Sequence, residues 1–225
     1  MAIRTVRCRL NELLPRERMN RMPIVKTIPS TSRLRAALPM MDRRRLIAAC
    51  EPIQLTVTEV LAESGKRIRH VYFPTDSFIS VTTPVCDCAN LEVGMVGNEG
   101  MLGVSLILGV SISPIHAVVQ SGGTALRMSV LHFRRQLELS DPLLRLLKRY
   151  LFVVIGQFAQ SSACTRFHVV EARLARCLLM TQDRAHSAQF HMTHEFLAAM
   201  LGVRRECVSI QVPPMYASQQ RVLID

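Results

Sequence analysis

Leu137, Leu144, Leu151 and Phe158 fall seven residues apart, and Leu147 and Val154 fill the three- and four-residue steps between Leu144 and Phe158. Apolar residues at that spacing form a seam along one long helix, and a seam needs something to cover it. A single helix lying on a neighbouring domain would serve, but a 3.5-residue period held for more than three turns favours a parallel partner, so the stripe predicts dimerisation. Arg134, Arg135, Arg145, Lys148 and Arg149 leave the seam and are expected in solvent. Pro142 sits near the start, where it begins or kinks the helix rather than destroying it.

Upstream of about Val130 the chain has a different character. Ile68–Phe73 and Phe78–Thr82 are rich in β-branched and aromatic residues, and Pro74-Thr-Asp-Ser77 separates them as a turn would. Glycines at 94, 97, 100 and 103 recur every third residue, and Gly122-Gly123 closes a later run, which suits turns and bulges in a compact β structure. From Glu99 to Arg127 no formal charge intervenes. Gly103, Gly109, Ser111, Ser113, Pro114, Gly122 and Gly123 interrupt that stretch, so it reads as a soluble core and no membrane partner is expected.

The net charge of +11 suggests a nucleic-acid partner, but its location weakens the inference. The first 45 residues carry twelve basic and three acidic groups, so +9 of the excess lies there. Residues 1–23 read either as a flexible basic arm or as translation from an upstream start, with Met19 or Met22 the true first residue. Seven scattered cysteines, an odd number with no secretory signal before them, read as reduced thiols in a cytoplasmic protein.

Beyond the long helix, Val169–Met180 is amphipathic, with Val170, Leu174, Cys177 and Leu178 on one face. The segment Thr193–Ser209 then reads as helix, tight turn, helix. Thr193 is placed to cap the first helix, ahead of Phe196, Leu197, Met200 and Leu201. Gly202 falls where the turn needs a left-handed backbone, Ala198 is small enough for close helix crossing, and Val203 and Val208 can pack inward. The second helix would present Arg204, Arg205, Glu206 and Ser209 outward. Arginine offers a bidentate fork to guanine and glutamate accepts from cytosine, so this face suits the major groove of double-stranded DNA. An ordinary helical hairpin with a solvated charged face is the plainer alternative.

Three segments, Phe167-His-Val-Val-Glu-Ala-Arg-Leu-Ala175, Leu197–Ser209 with its Leu-Gly-Val-Arg-Arg-Glu-Cys-Val-Ser end, and Glu92-Val-Gly-Met-Val-Gly-Asn-Glu-Gly-Met-Leu-Gly103, together resemble the Crp/Fnr regulators. The resemblance spans roughly residues 24–209. It implies an α+β chain: a basic arm at 1–23, a cyclic-nucleotide-binding-like, jelly-roll-like β-roll sensor at 24–131, a dimerisation helix at 132–165, a helix-turn-helix domain at 166–212 and an atypical tail at 213–225. It further implies a homodimer that reads DNA, responds to a small-molecule effector and meets RNA polymerase. By motif position Arg205 and Glu206 correspond to the base-reading pair, while Gly97, Glu99, Gly100 and His116 mark the effector pocket.

Two departures from the family pattern matter. Where cyclic-AMP-binding members place an arginine against the cyclic phosphate, this chain has Ile115-His116-Ala117. A buried phosphate without a charge partner is costly, so cyclic AMP is not the expected effector. Cys8 stands alone where oxygen-sensing members cluster cysteines, so no iron–sulfur cofactor is expected. At the other end, Pro213 removes an amide donor and biases Val212 out of the helical region, so the second helix should stop near Gln211 without a normal wing. A frameshift or truncation would explain that ending, and a regulator that dimerises or binds effector without reading DNA is the alternative function.

His191-Met-Thr-His194-Glu195 does not reproduce zincin spacing, and Cys86 and Cys88 are too close for a zinc-knuckle pair, so neither is expected to hold metal. No nucleophile–base pattern, Walker loop or dinucleotide fingerprint is present, and no enzyme is expected.

Overall fold

The computed structural model describes residues 32–86, 89–185, 191–192, 194–203, 207 and 223–224. Two short helices, α1 (Arg33–Ala36) and α2 (Met40–Ala48), precede seven strands. These are β1 (Glu51–Leu55), β2 (Val60–Ala62), β3 (His70–Pro74), β4 (Phe78–Cys86), β5 (Ala89–Val96), β6 (His116–Ser121) and β7 (Gly123–Ser129). They form two antiparallel sheets, ordered β1-β7-β3 and β2-β6-β4-β5, with a 3₁₀ turn at Val104–Leu108. The expected turn at Pro74–Ser77 joins β3 to β4, and the expected β-rich half is the roll.

The roll closes because alternate residues of its strands are apolar. Val71 and Phe73 from β3, Ile79 and Val81 from β4, and Ala117 and Val119 from β6 are all buried. Leu34 from α1, Leu38 from the link between the two helices and Leu46 from α2 share a buried cluster with Phe73, Met101, Met128 and Phe133.

Two helices follow, α3 (Val130–Leu139) and α4 (Asp141–Phe167). The seam had predicted one continuous helix through Leu137, but Ser140 breaks it. Its backbone is extended, its Oγ accepts from the Leu143 amide at 3.2 Å, and the same hydroxyl donates to Asp42 on α2 at 2.6 Å. Arg45 of α2 donates to the Leu139 carbonyl at 2.8 Å, satisfying the end of α3. Pro142 occupies the first turn of α4, where its missing amide donor is not needed.

Of the seam residues Leu147 is buried, while Leu137, Leu144, Leu151, Val154 and Phe158 are half-buried. Leu143 and Leu147 are fully buried against the roll, whereas Phe152 and Ile155 are 71% and 57% exposed. Phe152 and Ile155 lie off the seven-residue row, on the side of α4 turned away from the roll. Glycine spacing explains how closely α4 approaches the roll. A Cβ at Gly94 would sit 3.0 Å from the Phe158 ring, and one at Gly100 would overlap Tyr150. Of the four periodic glycines, Gly103 alone has a left-handed φ, +96°, so close approach rather than turning dominates that run.

The chain continues as α5 (Val170–Ala185), β8 (His191–Met192), α6 (His194–Leu201) and β9 (Leu223–Ile224). β9 pairs in parallel with β8, so the last residues of the tail lie beside the start of the helix-turn-helix. The basic arm, Cys88 and residues 208–222 lie outside the described residues, as do the side chains of Cys86, His191, His194 and Glu195. Among the described residues no helix is long and apolar enough to cross a membrane, and no group of three or more His, Cys, Asp or Glu is placed to hold a metal ion.

Candidate nucleic-acid interface and sensor cavity

The helical hairpin is built from the apolar faces of α5 and α6. Leu174, Cys177 and Leu178 pack with Leu197, Ala198, Met200 and Leu201, all at most 6% exposed. Gly202 has φ +63°, the left-handed conformation that its place in the turn predicted. The Val203 amide donates to the Ala198 carbonyl at 3.0 Å, a six-residue closure that ends α6 and turns the chain. The Arg173 guanidinium donates to the Leu201 carbonyl, adding a cation at the negative end of the helix. Cys207, beyond the turn, is helical and exposed. Thr193, Arg204, Arg205, Glu206 and Ser209 lie outside the described residues.

This hairpin rests on β5. Met95 belongs to the same buried cluster as Leu174 and Leu197, and a Cβ on Gly202 would lie 3.3 Å from Leu91. A β-bulge at Val93 shifts the side-chain alternation of β5, where Gly94 opposes Val81 and Glu92 opposes Thr82. The Val93 carbonyl accepts from Ser161 of α4 at 2.7 Å, and Arg176 of α5 donates to the same serine hydroxyl at 3.1 Å. Glu92 turns its carboxyl into this junction and accepts from Ser80 at 2.7 Å. Desolvation pushes the carboxyl up to about 8, against the opposing pull of Ser80, Arg184 and Arg176.

Of the effector residues expected from sequence, Glu99 forms a 2.8 Å ion pair with Arg184 of α5 and accepts from the Gly97 amide at 3.3 Å. Gly100 lies against Tyr150 and His116 stands opposite Thr82 in the β4–β6 ladder. Glu99 and Gly97 are thus brought together, but toward the helical domain.

A cavity of about 170 Å³ opens between the roll and α4, and none of Gly97, Glu99, Gly100 or His116 lines it. Its walls include Val81, Met95, Met101, Leu102, Val154 and Phe158, with no Lys, Arg, Asp or Glu among the described residues that line it. Tyr150 also reaches the wall. Its hydroxyl donates to the Met101 carbonyl at 3.3 Å and, raised by desolvation, stays neutral. Sequence reading missed Met95, Glu92, Arg176 and Arg184. The bulge that aims Glu92 depends on pairing with β4, which one strand's sequence does not display.

Residues 172–212 match the family model of the Crp-like helix-turn-helix domain. No curated protein matches the chain by sequence. Among solved structures, the chain is similar to the c-di-GMP-responsive global regulator CLP of Xanthomonas campestris, with 14% identity, 80% of this chain and 93% of that one covered and a TM-score of 0.66. FixK2 of Bradyrhizobium japonicum gives 11% identity, 75% and 85% coverage and a TM-score of 0.63. A Crp/Fnr-family regulator of Eubacterium rectale gives 10%, 83% and 87%, and 0.65. Those likenesses establish the fold. The chain thus carries a Crp-like helix-turn-helix domain at residues 172–212, on a fold similar to that of Crp/Fnr-family transcription regulators.

Proposed function

We propose that this protein is an effector-responsive, sequence-specific DNA-binding regulator that acts as a homodimer. The observation that carries the reading is the closed left-handed turn at Gly202 directly after α6, the connection that a helix-turn-helix uses to lead into its reading helix. In that reading Arg204, Arg205, Glu206 and Ser209 face the bases, and Thr193 caps the supporting helix. Dimerisation is supported by the 27-residue α4, whose outward face carries the exposed Phe152 and Ile155 beside an unobstructed Gly156. Effector response is supported by the cavity beneath that helix and by the Glu99–Arg184 pair joining roll to hairpin. RNA polymerase is the further partner implied by the family.

The alternative, a dimerising protein that no longer reads operators, is disfavoured by the pairing of β9 with β8, which ties the atypical tail into the helical domain. The experiment is selection of bound duplexes from a random pool at moderate salt. Enrichment of a pseudo-palindrome with half-sites about one helical turn apart is expected of two symmetry-related recognition helices. Salt-sensitive binding with no enriched sequence would overturn the reading and leave only phosphate attraction through the basic residues.

A further inference from the structure

The cavity between the roll and α4 sits where a sensor would need one, but its chemistry is unusual for a charged effector. Among the described residues no Lys, Arg, Asp or Glu lines it, and its polar contributions come from His70, Ser105, Ser113, Tyr150 and Gln157. A phosphate or carboxylate placed there would lose its hydration without gaining a charge partner. Apolar cavities of about 150 Å³ accept a single benzene ring, and this one is of that order at about 170 Å³. Two of its lining residues, Leu108 and Ile155, are 64% and 57% exposed, so its lining reaches solvent in the single chain.

One wall residue has a second role. Met95 lines the cavity and is also part of the buried cluster that holds α5 and α6, where Thr181 donates to its sulfur at 3.9 Å. An unbranched thioether repacks easily, so a molecule pressing on Met95 is felt directly by Leu174, Leu178 and Leu197.

Resting on the regulator reading, we infer that the effector is a neutral, largely apolar molecule about the size of one substituted aromatic ring. It binds under α4 and acts on the DNA-binding hairpin through Met95. Cyclic nucleotides and other phosphate-bearing signals find no Lys or Arg partner among the described residues of this cavity and are not its ligands.

The test uses the full-length protein labelled at its methionine methyl groups, titrated with toluene and, separately, with cyclic AMP, and followed by NMR. Met95 and Met101 report on the cavity, and Met128, buried in the roll outside the lining, reports on folding. The expected result is a saturable shift of the Met95 and Met101 signals with toluene and none with cyclic AMP. Val154→Phe and Val81→Phe, which fill the cavity from opposite walls, should each abolish the toluene shift while the Met128 signal persists. No saturable toluene shift, a shift that survives both filled variants, or a response to cyclic AMP would each overturn the inference. Because this assay contains no DNA, its outcome is separate from the duplex selection that tests the regulator reading.

Discussion

Replacing Glu92 by glutamine should remove much of the protein's loss of stability as pH rises. In the folded protein the carboxyl is enclosed at the junction of β4, β5 and α5, hydrogen-bonded to Ser80, and its pKa stands at about 8 against an ordinary 4.5. Between those values the folded state holds a proton that the unfolded chain has released, so stability falls with rising pH by about 1.4 kcal/mol per unit. Below pH 4.5 the penalty vanishes, and above 8 it is fully present. At pH 7 the ceiling is about 3 kcal/mol, and the partial exposure of the residue lowers it toward 1–2 kcal/mol. Glutamine keeps an acceptor for Ser80 and carries no charge. Urea unfolding at fixed protein concentration, from pH 4.5 to 8.5, should therefore show wild type and Glu92→Gln nearly equal at the acid end and the variant more stable at the alkaline end. Parallel stability curves, or a variant less stable at every pH, would refute the reasoning and mean that Glu92 is held as a carboxylate by Arg176 and Arg184.

Ser140→Ala removes the cap of α4 and the bond to Asp42, and should cost about 1–2 kcal/mol in chemical denaturation. Gly202→Val forces a β-branched residue into φ +63° and toward Leu91, with a cost of roughly 1–3 kcal/mol in thermal unfolding, whereas Gly202→Asn should be milder. Phe152→Glu combined with Ile155→Glu places two charges on the exposed face of α4, outside the buried clusters. Sedimentation should show a dimer converted to a folded monomer, and an undisturbed dimer would place the interface elsewhere.

What the sequence displayed was local. The Pro74–Ser77 turn, the amphipathic α5 and the left-handed Gly202 were each legible because one or a few residues dictate them. Ser140-Asp-Pro142 also spells a helix start, but the seven-residue row running across it suggested continuity. The structure shows that capping chemistry prevailed over periodicity there. The two faces of α4 were not separable by pattern, because one is buried by the roll of the same chain and the other is open. Glu99 stood out as a motif residue, but its partner Arg184 lies 85 positions away on a helix that reads as ordinary and amphipathic. The charged face of the recognition helix was legible as composition, and Arg204, Arg205 and Glu206 remain assigned by spacing and family position.

The central claim, that this chain reads DNA sequence through its helix-turn-helix, is tested most directly by the ratio of affinities for a selected palindrome and a scrambled duplex. Fluorescence anisotropy at one salt concentration, with wild type and Arg205→Ala side by side, measures it. Loss of a bidentate base contact is worth about 1–3 kcal/mol, so the ratio should fall by roughly 5- to 150-fold while binding to the scrambled duplex barely changes. An unchanged ratio would contradict the account, because the discrimination would then arise from a surface other than the one on which Arg205 was placed.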